Sequence, residues 1–154
     1  MTFDIFEKIV NDVMDKKPIL FELERDRIVS EDEIKQVENS LHFTLPKNYK
    51  SFVKKYGGGY FGFTVVLSCD LQGKFYIGKY YDIYNQLFKD ASFLPLMDFE
   101  TGDLLGVKIN SSDSEEKMYM YLHDTNSFIQ KDFDFLEAVI KYCLNTVVNI
   151  KAER

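Results

Sequence analysis

LHFTLPKNYKSFVKKYGGGYFG, residues Leu41 to Gly62, is punctuated at both ends. An apolar run closes on Leu45-Pro46. Proline suits the start of a helix, because its φ is already set and its missing N–H would have no partner in the first turn. Tyr49, Phe52, Val53 and Tyr56 follow at i, i+3, i+4 and i+7, which makes one face of a helix. Gly57 suits the left-handed conformation that ends a helix. Gly57, Gly58 and Gly59 therefore read as a helix stop and tight turn. A phosphate-cradling loop would instead have to lie between a strand and a helix.

Working backwards, Ser30 and Glu33 form the S-x-x-E pattern of a capping box, and Ile34, Val37 and Leu41 make the apolar face of the helix it opens. Before it, Phe21, Leu23 and Ile28 fit a short strand or an extended link. Phe3, Phe6, Val10 and Val13 predict a first helix over residues 3–15. Lys16 and Lys17 suit its C-terminus and Pro18 stops it.

Working forwards, the period shortens. Phe61, Phe63 and Val65 alternate, and the apolar run carries on to Leu67. Residues 74–80, 92–97, 104–109 and 117–123 also read as strands. The turns between them are Leu71-Gln72-Gly73, Glu100-Thr101-Gly102-Asp103 and Asn110 to Glu116. Residues 82–90 fit a short helix. Leu136, Val139, Ile140, Cys143, Leu144 and Val147 predict a closing helix, capped by Asp132 or Asp134. Strands that follow one another without long intervening helices imply an antiparallel sheet. The expected architecture is α+β: helices first, a meandering sheet, and a final helix packed on it. The chain has 154 residues and shows no repeat or dividing linker, so the expectation is one domain over 1–154.

The composition narrows the function. Net charge is −6, which disfavours binding to phosphate backbones and suits either plain solubility or a basic partner. Cys69 and Cys143 have no metal-like spacing, and nothing argues for a disulfide between them. No segment has the apolar length to span a bilayer and the N-terminus is unlike a secretory signal, so the expectation is a cytoplasmic protein with reduced thiols.

A search for chemistry finds little. His42 and His123 could act as an acid–base pair on a phosphodiester, but His42 borders an apolar helix face and His123 ends a strand, and the reading preferred for both is that of ordinary polar residues. There is no nucleophile elbow, no calcium-loop register and no reason to expect a cofactor or metal. Six acids, Asp98, Glu100, Asp103, Asp113, Glu115 and Glu116, stand against one cation, Lys108, between residues 98 and 116. They fall in two loops flanking a strand, where acids serve either solvation or a basic partner. Tyr80, Tyr81, Asp82 and Tyr84 form a second cluster, fit either for an interface or for a half-buried role.

The order Ile34, Glu38, Leu45-Pro46, Tyr49, Phe52, Tyr56-Gly57-Gly58 resembles the N-terminal signature of the SUKH superfamily, which includes the Smi/Knr cell-wall regulators. Phe93-Leu94-Pro95-Leu96 is similar to the family's Phe-Leu-Pro strand, Gly102-Asp103 to its Gly-Asp turn, and Phe133-Asp134-Phe135-Leu136 to its closing helix motif. The chain departs from the pattern in having Tyr56 where Asn is common, Asp132 where Ser is frequent, and no Trp.

The resemblance implies a non-catalytic protein-binding module. Bacterial members are chiefly immunity proteins that bind and neutralise a cognate polymorphic toxin, often a nuclease. Eukaryotic members act as regulatory scaffolds. Leu45, Pro46, Tyr49, Gly57 and Gly58 would then be structural. The expected partner is a protein toxin, with no direct nucleic acid and no membrane, and the expected state is a monomer or weak homodimer.

Overall fold

The computed structural model describes residues 1–88 and 92–144. Val147, and residues 89 and 90 of the helix predicted over 82–90, lie outside the described residues. Helix α1 spans Phe3–Lys16, and its buried face is Phe6, Val10 and Val13. A 3-10 turn follows at Pro18–Phe21, and the first strand, β1, is only Arg25–Asp26. The short strand or link expected from Phe21 to Ile28 thus contains β1, limited to two residues and entered from the 3-10 turn that Pro18 opens.

Helix α2 spans Glu31–Leu41 and carries the capping box of Ser30 and Glu33. Helix α3 spans Lys47–Tyr56 and buries Tyr49, Phe52, Val53 and Tyr56, with Pro46 just ahead of it. Glu38 ties the two helices together. Its carboxylate accepts from the Leu45 N–H at 2.6 Å and from Lys50 Nζ at 3.3 Å. Leu45 is thereby held in the core, where it is 3% exposed.

Gly57 ends α3 at φ 74°, ψ −138°. The φ is positive, as expected, but the ψ is extended, so the backbone does not turn away into a loop. It runs directly into β2, Gly58–Phe61. Gly58 and Gly59 are strand residues, not the tight turn their composition suggests.

The run from Phe61 to Leu67 is not one strand either. β2 and β3 (Thr64–Val66) form a hairpin whose two-residue loop is Gly62-Phe63, with Phe61 opposite Thr64. Gly62 sits at φ 61°, as a glycine opening such a loop does. Residues 74–80 also differ from expectation. They make a single parallel bridge, Ser68 to Tyr76, and then enter helix α4, Ile77–Leu87. The alternation of Phe75 and Ile77 coincides with a helix start that no side chain caps.

The remaining strands are β4 (Phe93–Asp98), β5 (Leu104–Asn110), β6 (Asp113–Ser114), β7 (Tyr119–Leu122) and β8 (Ser127–Gln130). β6 and β8 were not expected. Helix α5, Phe135–Cys143, is capped by Asp134 in a box with Glu137. The sheet is antiparallel in the order β1-β2-β3-β4-β5-β7-β8, with β6 beside β5. β4 is buried from Phe93 to Met97, a continuous apolar run that fits a strand covered on both faces. Pro95 is tolerated there because the register shifts between Pro95 and Met97.

Directly opposed residues share a face, so the register sorts the side chains. The row Val66, Met97, Leu105 and Met120 enters the main core, beside Tyr49, Phe52 and Phe135. The next row carries Asp98, Leu104, Tyr121 and Phe128 to the opposite face. There Leu104 forms a smaller cluster with Phe88 and Phe93, flanked by Tyr84, Tyr119, Tyr121 and Phe128. α5 packs against β3 and α3, while α4 lies against β4.

Candidate protein-binding surface

The expected site residues divide into three places. Asp98, Glu100 and Asp103 lie at the turn between β4 and β5. Asp113, Glu115 and Glu116 lie past the far end of β5. That strand has seven residues, so at about 3.3 Å per residue the two groups stand roughly 20 Å apart. The six acids do not make one negative surface. Asp113 accepts from Thr44 Oγ1, Glu115 from Asn110 at 3.1 Å and Glu116 from the Lys47 N–H at 3.2 Å. The far group thus fastens the β5–β6 hairpin to the start of α3.

Helix α4 divides its own residues. Tyr81 packs on Phe43 with ring centroids 5.4 Å apart, and with Asp82 it lines an open cleft beside His42. Tyr80 and Tyr84 lie on another flank, their rings stacked at 6.4 Å. Partial burial and the nearby Asp98 carboxylate push both phenols up, Tyr80 the further, so both remain protonated donors at neutral pH. The structure therefore brings Tyr80 and Tyr84 together with Asp98, and leaves Tyr81, Asp82, Asp113, Glu115 and Glu116 elsewhere.

Other residues complete this surface. The Tyr60 hydroxyl donates to Glu100 at 2.7 Å, which raises that phenol. Asp103 receives the His123 backbone N–H at 3.0 Å and meets the ring Nδ1 at 2.6 Å. Asp124 reaches Nε2 at 3.0 Å. The hydrogen bond to Asp103 holds His123 above its ordinary value, and the same contacts hold Asp103 below the usual carboxylate range. Ile83 and Leu87, 61% and 69% exposed, continue the Tyr80–Tyr84 stripe at i+3 and i+7. Tyr121 and Phe128 lie beside them across Phe88, with centroids 4.5 and 5.3 Å from its ring.

Most of these additions come from separate strands, which no local pattern joins. The spacing of Tyr80, Ile83, Tyr84 and Leu87 is that of a helical stripe, a signal lost when residues 74–80 are read as a strand. The result is an aromatic and aliphatic step between α4 and β7–β8, bordered by carboxylates at one end.

The histidines do not converge. His42 is the left-handed C-cap of α2 and lines a cleft with Ser112, beyond one end of β5, while His123 pairs with Asp103 at the other. Both cysteines are free and buried, and burial pushes the Cys69 thiol up to about 12. Among the described residues, no three His, Cys, Asp or Glu side chains are grouped to hold a metal ion. Among the described residues, no helix is long and apolar enough to cross a membrane.

The described residues form an antiparallel sheet flanked by helices, with an amphipathic surface between α4 and β7–β8. The chain belongs to the SUKH superfamily: the SUKH_6 family, described as SMI1-KNR4 cell-wall, matches residues 31–137. At the level of the family this is a protein-binding or immunity-type module, generally without catalysis. A comparison with curated proteins found no match.

The matched span covers the helices and strands that the motif residues organise. Tyr49 is fully buried, and its hydroxyl donates to the Leu67 carbonyl at 2.6 Å. The Leu-Pro-x-x-Tyr element thus seats α3 against the strand end at Leu67.

Proposed function

We propose that this protein is a cytoplasmic immunity protein, which binds a cognate polymorphic toxin stoichiometrically and blocks it without chemistry of its own. One observation carries the reading: Tyr60, Tyr80 and Tyr84 gather with Asp98 and Glu100 at one end of the sheet, and Asp103 follows in the same turn. Tyrosines supply large contact area at low entropic cost, and a carboxylate border attracts a basic partner and speeds its association. A nuclease has such a basic surface, because it must hold phosphates. The acids then occupy the place of the substrate's charge.

Tyr81, Asp82, Asp113, Glu115 and Glu116 stand outside this surface and belong to the interface only if a large toxin wraps more than one side. Co-expression with the candidate toxin from the neighbouring reading frame tests the function. Restored growth and a stable one-to-one complex are expected. Continued toxicity together with no complex on pull-down overturns it.

A further inference from the structure

The two edges of the sheet are built differently. β1 is two residues long and both are charged. Its Asp26 carboxylate is tied down by Ser68 at 2.5 Å, by the Lys74 N–H at 3.1 Å and by the Phe75 N–H at 2.8 Å. A short, charged edge bound to a neighbouring loop is guarded against pairing with another chain. β8 is twice as long, at four residues, and lacks the charge. Ser127, Phe128, Ile129 and Gln130 are all uncharged, none is proline, and among the described residues only β7 pairs with them.

The register shows which groups β8 offers. Lys131 N donates to Met118 O, so residues 118 and 131 form a hydrogen-bonded pair. Such pairs alternate along an antiparallel ladder. Met120–Ile129 and Leu122–Ser127 are then hydrogen-bonded, while Tyr119–Gln130 and Tyr121–Phe128 are not. The N–H and C=O groups of Phe128 and Gln130 therefore point outward, away from β7. The side chains on either side are apolar. Ile129 is 43% exposed on one face, and Phe128 meets Tyr121 and Phe88 on the other. In the turn before β8, Asp124 lies 3.0 Å from His123 Nε2 and its side chain is 87% exposed.

We propose that the β8 edge receives an extended cationic segment of a partner protein, which joins the sheet as an additional strand. The inference deepens the partner-binding reading above and rests on it. Main-chain hydrogen bonds to Phe128 and Gln130 hold the segment, and its alternate side chains pack on Phe128 and Ile129. A Lys or Arg at one end reaches the exposed Asp124 carboxylate. The charge argues against a second copy of this chain as occupant, since each copy carries −6.

Gln130→Pro isolates the edge, because the Gln130 N–H faces outward and its loss leaves the ladder to β7 intact. The probe is a phage-displayed library of random 12-residue peptides, with enriched sequences remade synthetically. Enriched peptides should alternate apolar residues and carry Lys or Arg. Their binding should slow amide exchange at Phe128 and Gln130 in the wild-type protein, weaken at least about tenfold in Gln130→Pro, and fall with added salt in a manner reduced by Asp124→Asn. Unchanged exchange at these two amides, a library without binders, or undiminished binding to folded Gln130→Pro overturns the proposal. A dimer in sedimentation that Gln130→Pro dissociates overturns it in favour of a second copy. In the toxin co-expression assay, protection retained by Gln130→Pro sinks the edge proposal alone, whereas failure of the wild type sinks the toxin reading.

Discussion

Replacing Tyr49 with Phe removes one oxygen atom from the centre of the family motif. The ring should stay in place, since its edge-to-face contact with Phe135, at a centroid distance of 5.5 Å, does not involve the hydroxyl. What is lost is the 2.6 Å hydrogen bond to the Leu67 carbonyl, between two residues with no exposed surface. Burial pushes the phenol well up, so it is a donor throughout the accessible pH range. A hydrogen bond contributes about 1 kcal/mol net, and a buried group left without a partner costs about 1–3 kcal/mol. The expected loss is about 2 kcal/mol. For a chain of this size that lowers Tm by roughly 4–8 °C. Urea unfolding followed by circular dichroism measures it directly, with an unchanged m-value showing that the surface exposed on unfolding is the same. A loss below about 0.5 kcal/mol at constant m would mean that another donor reaches the Leu67 carbonyl, and the seating role of the tyrosine would be refuted.

Glu38→Ala frees the Leu45 N–H and Lys50 together, and chemical denaturation should show a loss of about 1–3 kcal/mol; a neutral result would remove Glu38 as the clasp between α2 and α3. Gly62→Ala places a Cβ 2.2 Å from the Cys143 carbonyl oxygen at φ 61°, so a destabilisation above about 2 kcal/mol is expected in thermal melts, and a wild-type melt would contradict the hairpin geometry. His123 should titrate above its ordinary value of 6.5 in NMR, and Asp103→Asn should bring it down. Because the folded value is raised, this histidine's contribution to stability is complete below the ordinary value and is lost as pH rises through the raised one. Asp103 works in the opposite sense, its contribution disappearing as pH falls through its depressed value. A His123 titration at or below 6.5 would break the pairing.

The helices were legible because their apolar faces repeat at 3.6 residues and their starts are marked. Ser30 with Glu33 and Asp134 with Glu137 both form the boxes their spacing allows. α4 was misread at its beginning because Tyr76 caps nothing and Phe75, Ile77 and Lys79 alternate like a strand. The β2–β3 hairpin was missed because the alternation of Phe61, Phe63 and Val65 continues straight through its loop. β8 escaped because four residues with one apolar side chain for each face carry little signal. The candidate surface was half legible. Tyr80, Tyr84 and the acids near Asp98 were identifiable as residue types, but Tyr60, Tyr121 and Phe128 join them only through strand register. The acids at 98–103 and at 113–116 were placed in two loops flanking a strand, and β5 is that strand.

The strand order has a consequence for how the molecule assembles. β2–β3, β4–β5, β5–β6 and β7–β8 are hairpins between strands adjacent in sequence, whereas β3–β4 encloses α4 and β1–β2 encloses α2 and α3. Short loops close at little entropic cost and bring early contacts, while distant pairings slow the search. These hairpins can therefore form early on the nascent chain, and β3–β4 joins β2–β3 to β4–β5. Docking of α5 against α3 and β3 then comes late, since the helix lies at the opposite end of the sequence from α3. Mutations within the hairpins should accordingly slow refolding, whereas mutations on the α5 face should chiefly hasten unfolding.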